Sequence, residues 1–169
     1  MATAVWKIAP ALAFGNAVIF KPANLVPASA WALTDIIARQ SALPPGTFNL
    51  LMGSGSEVGN PLINSDRIHA ISFTGSLPVG RQVAAATAAN LVKCQLEMGS
   101  KNALIVAADA DLDVAVNAAY VGAYSGTGQK CTASSRLIVD ATVHDAFVAK
   151  LLEKLKATRV GHALEEGVD

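Results

Sequence analysis

Short apolar runs alternate with longer stretches of helical spacing along the whole chain. Ala17-Val-Ile-Phe20, closed by Lys21-Pro22, reads as a buried strand. Pro27 to about Ser41 has helical spacing, with Ala30, Leu33 and Ile37 on one face. Leu43-Pro-Pro-Gly46 stops that helix, because neither proline can continue it. Phe48 to Met52 is the next strand, and Gly53-Ser-Gly55 opens a short helix. Ile68 to Phe73 is a third strand, and Ser76 is placed to cap a helix running to about Asn90. Leu91–Leu96 and Asn102–Ala107 are further strands, and Asp111 caps a helix through Ala119. Gly122 to Thr132 reads as a loop and Ser135 to Asp140 as a strand. Thr142 with Asp145 resembles a capping box for a last helix striped by Phe147, Leu151 and Leu155. Strand–helix units joined by short loops predict an α/β fold: a parallel, Rossmann-like sheet with helices on both faces. A domain change is expected near Gly99-Ser100, giving segments 1–99 and 100–169. The chain opens at once on Trp6, Ile8, Leu12 and Phe14 and stops after one helix, which reads as part of a larger protein.

Composition narrows the classes. Thirteen basic and thirteen acidic residues cancel, so no basic field points to nucleic acid. Apolar residues make up 52% and charged ones 15%, which excludes disorder and predicts a largely buried chain. No apolar run is long enough for a membrane span, and the first residues carry no secretory pattern. Two cysteines do not make a disulfide scaffold, so a cytoplasmic setting is expected.

Cys131 is the first candidate for chemistry. It lies in Gly126-Thr-Gly-Gln-Lys-Cys-Thr-Ala-Ser-Ser135, among polar donors and beside Lys130, whereas an ordinary free cysteine sits in a core. Cys94 falls within a strand pattern and reads as structural. Glu97 ends a strand, at the rim where parallel sheets bind ligands; a solvated surface carboxylate is the plainer alternative. Gly75-Ser76 offers backbone N–H groups at a helix N-terminus, a sound cradle for a pyrophosphate. Gly53-x-Gly55-x-x-x-Gly59 misses the dinucleotide fingerprint by one residue. Lys21 could reach ribose hydroxyls or a phosphate. His69, His144 and His162 have no spacing that suggests a cysteine-protease dyad, and with two cysteines they form no metal cluster.

Taken in order, Phe73-Thr-Gly-Ser76 with Gly80-Arg81, Leu96-Glu-Met-Gly99 with Lys101-Asn102, and Gly128-Gln-Lys-Cys131 resemble the NAD(P)-dependent aldehyde dehydrogenases. Trp6-Lys-Ile-Ala-Pro10 and Phe20-Lys-Pro-Ala23 fit the same family, as does the 34-residue interval from Glu97 to Cys131. Lys21-Pro-Ala-Asn24 and Gln129 to Arg136 look most like the 2-oxoglutarate semialdehyde dehydrogenases. The resemblance implies that Cys131 attacks an aldehyde to form a thiohemiacetal, hydride leaves to NAD or NADP, and Glu97 activates the water that hydrolyses the resulting thioester. It implies an oxyanion held partly by the Cys131 N–H. Cofactor contacts are implied at Lys21, Ala23 and Asn24, at Gly55 and Gly59, at Phe73, Thr74, Gly75 and Ser76, and at Glu97, Met98 and Gly99. The parent family is homo-oligomeric.

Some family features fall outside the stretch. The Asn of a Trp-Asn-Phe-Pro phrase lies ahead of Met1, no Glu-Glu-Ile-Phe-Gly-Pro phrase occurs before Asp169, and the arm that pairs subunits is missing. Asn24 stands where many NAD-preferring members carry Glu, so use of NADP, or of both cofactors, is expected. Ser100 replaces the second Gly of the usual Glu-Leu-Gly-Gly phrase, which would strain the backbone if that position needed positive φ. Two other classes remain open: a catalytically incomplete module that binds a dinucleotide or packs against subunits, and a thiol-dependent esterase.

Overall fold

The computed structural model describes residues 2–40 and 42–168. It divides into two compact units, Met1–Met98 and Gly99–Asp169. In the first, the elements are α1 (Ala2–Ala13), β1 (Val18–Phe20), α2 (Pro27–Gln40), β2 (Phe48–Leu50), a π-helical turn (Gly55–Gly59), α3 (Asn60–Ile63), β3 (Ala70–Gly75), α4 (Leu77–Ala89) and β4 (Lys93–Met98). The second holds β5 (Asn102–Val106), α5 (Leu112–Tyr124), a 3-10 turn (Ser125–Gly128), β6 (Ser134–Val139) and α6 (His144–Lys156).

Every ladder is parallel, as the strand–helix alternation requires. The strands register as three pairs: β1 with β2, β3 with β4, and β5 with β6. The rings of Phe20 and Phe48 stack across the first pair with centroids 6.3 Å apart.

Helix α1 is the element that the periodicity did not disclose. Its alanines favour helix, and Pro10 inside it conceals the pattern. Gly15, at φ +77°, ends it: the Gly15 and Asn16 N–H groups return to the carbonyls of Leu12 and Ala11. Lys7 ties α1 to β3 by donating to the Ser72 hydroxyl at 2.7 Å. Ile8, Pro22, Ala30, Gly80, Val83 and Thr87 are the buried residues among those described in this unit, and the Thr87 hydroxyl is satisfied by the Val83 carbonyl at 2.9 Å.

In the second unit, Val106, Val116, Ala119, Phe147 and Leu151 form one core, flanked by Leu104, Leu137, Val139 and Leu155. Each large side chain in it stabilises the fold by roughly 1.5–3 kcal/mol through burial. Asp111 caps α5 as expected, accepting from the N–H groups of Asp113 and Val114 at 2.9 and 3.1 Å.

Three expectations are corrected. Thr142 and Asp145 make no capping box; Val143 is the cap residue, while Thr142 donates its N–H and hydroxyl to Asp140 and Asp145 meets the His144 ring. The Asp140 carboxylate, two residues behind, is a nearer partner for Thr142 than the helix N-terminus, and the Thr142 hydroxyl and N–H hold the Asp140 carboxyl below its ordinary value of 3.8. Helix α5 runs through Gly122 to Tyr124, because Ala123 and Tyr124 continue its spacing past the glycine. Ser76 caps α4 with its backbone alone; its side chain makes no bond to the helix.

Candidate active site

The carboxyl ends of β1 and β2 lie side by side, since the strands are parallel. Beyond them a cleft of about 220 Å³ is lined by Pro22, Ala23, Asn24, Pro27, Met52, Gly53, Ser54 and Glu57. Ala23 and Asn24 are therefore brought to the turn that follows β2. Lys21 donates to the Pro22 carbonyl at 2.8 Å, and its stem passes Gly59, where a Cβ would lie 3.9 Å from Lys21 Cδ and Cε.

The glycine this turn needs is Gly53, not Gly55. Gly53 has φ +154° and a Cβ there would overlap Val58 Cγ2, whereas Gly55 faces open space. Ser54 and Glu57 form a capping box: Ser54 Oγ accepts from the Glu57 N–H at 3.0 Å and donates to Glu57 Oε2 at 2.7 Å. The Ser54 hydroxyl, with the Ser54 N–H, holds the Glu57 carboxyl below its ordinary value of 4.5. The readable signal for Glu57 is its Ser-x-x-Glu spacing, a pattern that leads from the cap to a carboxylate on the cleft wall.

The second pair carries the other candidates. Phe73 turns its ring over Gly75, where a Cβ would lie 2.5 Å from Phe73 Cζ, and Ser76 leads into α4. The 13-residue helix α4 starts at Leu77, directly after Gly75-Ser76, so its first backbone N–H groups lie where an anion cradle is expected. Thr74 stands in register with Glu97, and Gly75 with Met98. Glu97 is exposed and accepts from Gln95 Nε2 at 3.4 Å; Gln95 in turn accepts from Ser72 Oγ at 2.7 Å. Cys94 lies in β4 as expected, but its thiol is exposed, so it is no core residue. The strand's end, and not its start, is covered: Gly80 of α4 packs against Met98.

In the second unit Gly99 faces open space. Ser100 is not in the left-handed region, so the feared strain is absent, and its hydroxyl donates to Asn102 Oδ1 at 2.9 Å. The Cys131 thiol is exposed in the loop that follows α5. Its carbonyl accepts from Asn102 Nδ2 at 2.7 Å. Lys130 folds its stem back toward Gly126, where a Cβ would lie 3.5 Å from Lys130 Cε. Among the described residues no three His, Cys, Asp or Glu side chains could hold a metal ion, and no helix is long and apolar enough to cross a membrane.

Parallel strand pairs joined through helices, and a polar loop bearing an exposed thiol, define an α/β protein with a candidate cysteine nucleophile. The sequence model of the aldehyde dehydrogenase family matches residues 1–169, and the chain belongs to that family. It is 45% identical to the alpha-ketoglutaric semialdehyde dehydrogenase of Bacillus subtilis, across 99% of this chain and 34% of that protein. It is 43% identical to the 2,5-dioxopentanoate dehydrogenase of Saccharolobus solfataricus, across 96% of this chain and 34% of the relative. A betaine aldehyde dehydrogenase of Cereibacter sphaeroides follows at 42%, across 98% and 34%. The crystal structure of an Escherichia coli NADP-dependent enzyme superposes with TM-score 0.91 at 39% identity, covering 96% of this chain and 34% of that one. The chain thus spans about a third of the length of the relatives it matches.

Proposed function

We propose that this chain carries the nucleophile and the dinucleotide-binding edge of an NAD(P)-dependent aldehyde dehydrogenase. The observation that carries the reading is Cys131: an exposed thiol on a polar loop whose carbonyl is anchored by Asn102. In this reading the Cys131 sulfur, as thiolate, forms a bond to the aldehyde carbon, and the carbonyl oxygen becomes an oxyanion facing the Cys131 N–H. A bound nicotinamide supplies the hydride acceptor. Water then cleaves the thioester left on Cys131, releasing a carboxylate, with Glu97 taking the water's proton.

The residues fit a dinucleotide. Thr74, Gly75 and Ser76 lead into the α4 N-terminus, which suits a pyrophosphate, and Asn24 and Glu57 line a cleft of a size that suits a ribose. Neutral Asn24 would not repel a 2′-phosphate, which supports use of NADP as well as NAD. The substrate we propose is 2-oxoglutarate semialdehyde: the names of two relatives, from Bacillus and Saccharolobus, denote this one five-carbon compound. The setting is proposed to be cytoplasmic.

The test is absorbance at 340 nm with 2-oxoglutarate semialdehyde or betaine aldehyde and either cofactor, beside Cys131→Ala. Reduction that needs Cys131 supports the proposal, and the aldehyde giving the higher kcat/KM decides the substrate. The second reading is a module that binds a dinucleotide or packs against subunits without turnover. Saturable dinucleotide binding without reduction by folded protein would support it. Thiol-dependent release of p-nitrophenol without cofactor reduction would instead favour an esterase.

A further inference from the structure

We propose that Asn102 is the positioning residue of the Cys131 loop: its side-chain amide fixes the peptide planes on the carboxyl side of the thiol and so helps set the direction of the Cys131 N–H. The proposal rests on the reading of Cys131 as nucleophile.

The loop enters from α5 in a conformation that needs holding. Gly126, Thr127 and Gly128 are successively left-handed, at φ +61°, +59° and +66°. Thr127 is β-branched and disfavours that region, and at Gly128 a Cβ would lie 2.5 Å from the Ala123 carbonyl oxygen. Such a backbone persists only where its surroundings over-determine it. The β5–β6 ladder does not supply that restraint by itself. Its register is irregular at this end: Asn102 pairs with Ser134, but Ala103 already pairs with Arg136.

The restraint is the Asn102 side chain. Nδ2 donates to the carbonyl of Cys131 at 2.7 Å and to that of Ala133 at 3.2 Å, so both amide hydrogens are used. Two carbonyl acceptors can face only a donor, which settles the amide's orientation, and Oδ1 takes the Ser100 hydroxyl at 2.9 Å. Within the turn, the Ala133 N–H donates to the Lys130 carbonyl at 3.1 Å. The Lys130–Cys131 peptide is trans, so the Cys131 N–H points away from that carbonyl. It has no hydrogen-bond partner among the described residues. The turn therefore leaves the Cys131 N–H unpaired beside the thiol, flanked by the equally unpaired N–H groups of Lys130 and Thr132 among the described residues, and Asn102 clamps the residues that follow it.

Two reactions of the same sulfur separate positioning from access. Alkylation by iodoacetamide forms an S–C bond, expels iodide and develops no oxyanion. Acylation by p-nitrophenyl acetate forms an S–C bond through an oxyanion and expels p-nitrophenolate, the thiol proton passing to buffer. Both are measured on the 169-residue chain carrying Cys94→Ser, so that only Cys131 reacts. Asn102→Asp keeps the shape and replaces the donors with an acceptor; Asn102→Ser keeps one donor. The expected result is acylation slowed about tenfold or more in Asn102→Asp, with alkylation within about threefold of the parent and Asn102→Ser in between. Parallel losses in both reactions, or no loss in either, overturn the proposal. So do backbone order parameters for residues 131–133 that stay unchanged in Asn102→Asp. Absence of Cys131-dependent acylation in the parent chain is a different failure, that of the nucleophile reading itself.

Discussion

Asn24 and Glu57 line the same cleft beyond β1 and β2, the first neutral and the second a carboxylate favoured in its ionised form by Ser54. On a ribose 2′-phosphate bound in that cleft they would act oppositely: Asn24 would tolerate it, and Glu57 would repel it. Glu57→Gln should raise NADP binding relative to NAD severalfold, and Asn24→Glu should lower it; calorimetric titration with both dinucleotides reads the ratio. Because the Glu57 carboxyl is held below 4.5, its repulsion should be present at neutral pH and fade only as pH falls below that value. Ser54→Ala should move its NMR titration midpoint upward. An unchanged ratio in Glu57→Gln would remove this carboxylate from the dinucleotide site.

Sequence reading found the strands and helices wherever the apolar period was unbroken, as in β1, α2 and the Phe147–Leu151 stripe. It missed α1 because Pro10 interrupts an otherwise helical alanine run. Around the candidate site it singled out residues whose side chains could carry chemistry, Cys131 and Glu97. Those that act by holding backbone were hidden. Asn102 is the first residue of a strand, and only the fold shows that its amide reaches across 29 residues to the Cys131 carbonyl. Gly53 was overlooked beside Gly55 because a pattern of glycines does not reveal which one has positive φ. Glu57 was legible in its spacing from Ser54 but has no sequence signal for facing a cleft.

Gly80 lies within α4 against Met98. A Cβ there would overlap Met98 Sδ and stand 3.1 Å from Met98 Cγ. Alanine favours a helix interior over glycine by about 1 kcal/mol, but overpacking costs about 1–3 kcal/mol, so overlap wins. Gly80→Ala should lower stability by about 1–2 kcal/mol in urea titration. With Met98→Ala the obstacle is gone, and Gly80→Ala should then be neutral or stabilising. Additive effects in that cycle would show that the two side chains do not meet.

Lys150 of α6 donates to Asp113 of α5 at 2.6 Å, and this partner raises its pKa above the ordinary value of 10.5. A raised pKa in the folded state means the stabilisation is complete below about 10.5 and is lost as pH climbs through the folded value. Lys150→Met should therefore lower the urea midpoint at pH 7 and 9, by a small amount because the pair is exposed to solvent. The gap between variant and parent should narrow at pH 11. A gap that is constant with pH would assign the effect to lost packing of the lysine stem.

Ile105 and Ile138 stand opposite each other on β5 and β6, on the face turned away from the core. They are 74% and 52% exposed, an apolar cross-strand pair in contact with water. Alternation explains the arrangement: Leu104, Val106, Leu137 and Val139 point into the core, so the residues between them point out. An exposed β-branched pair favours association more than folding. Replacing both with Thr keeps the β-branched shape and should change stability by no more than about 1 kcal/mol. It should lower binding of a hydrophobic dye and slow aggregation followed by light scattering. A loss of several kcal/mol instead would mean that this face is covered in solution.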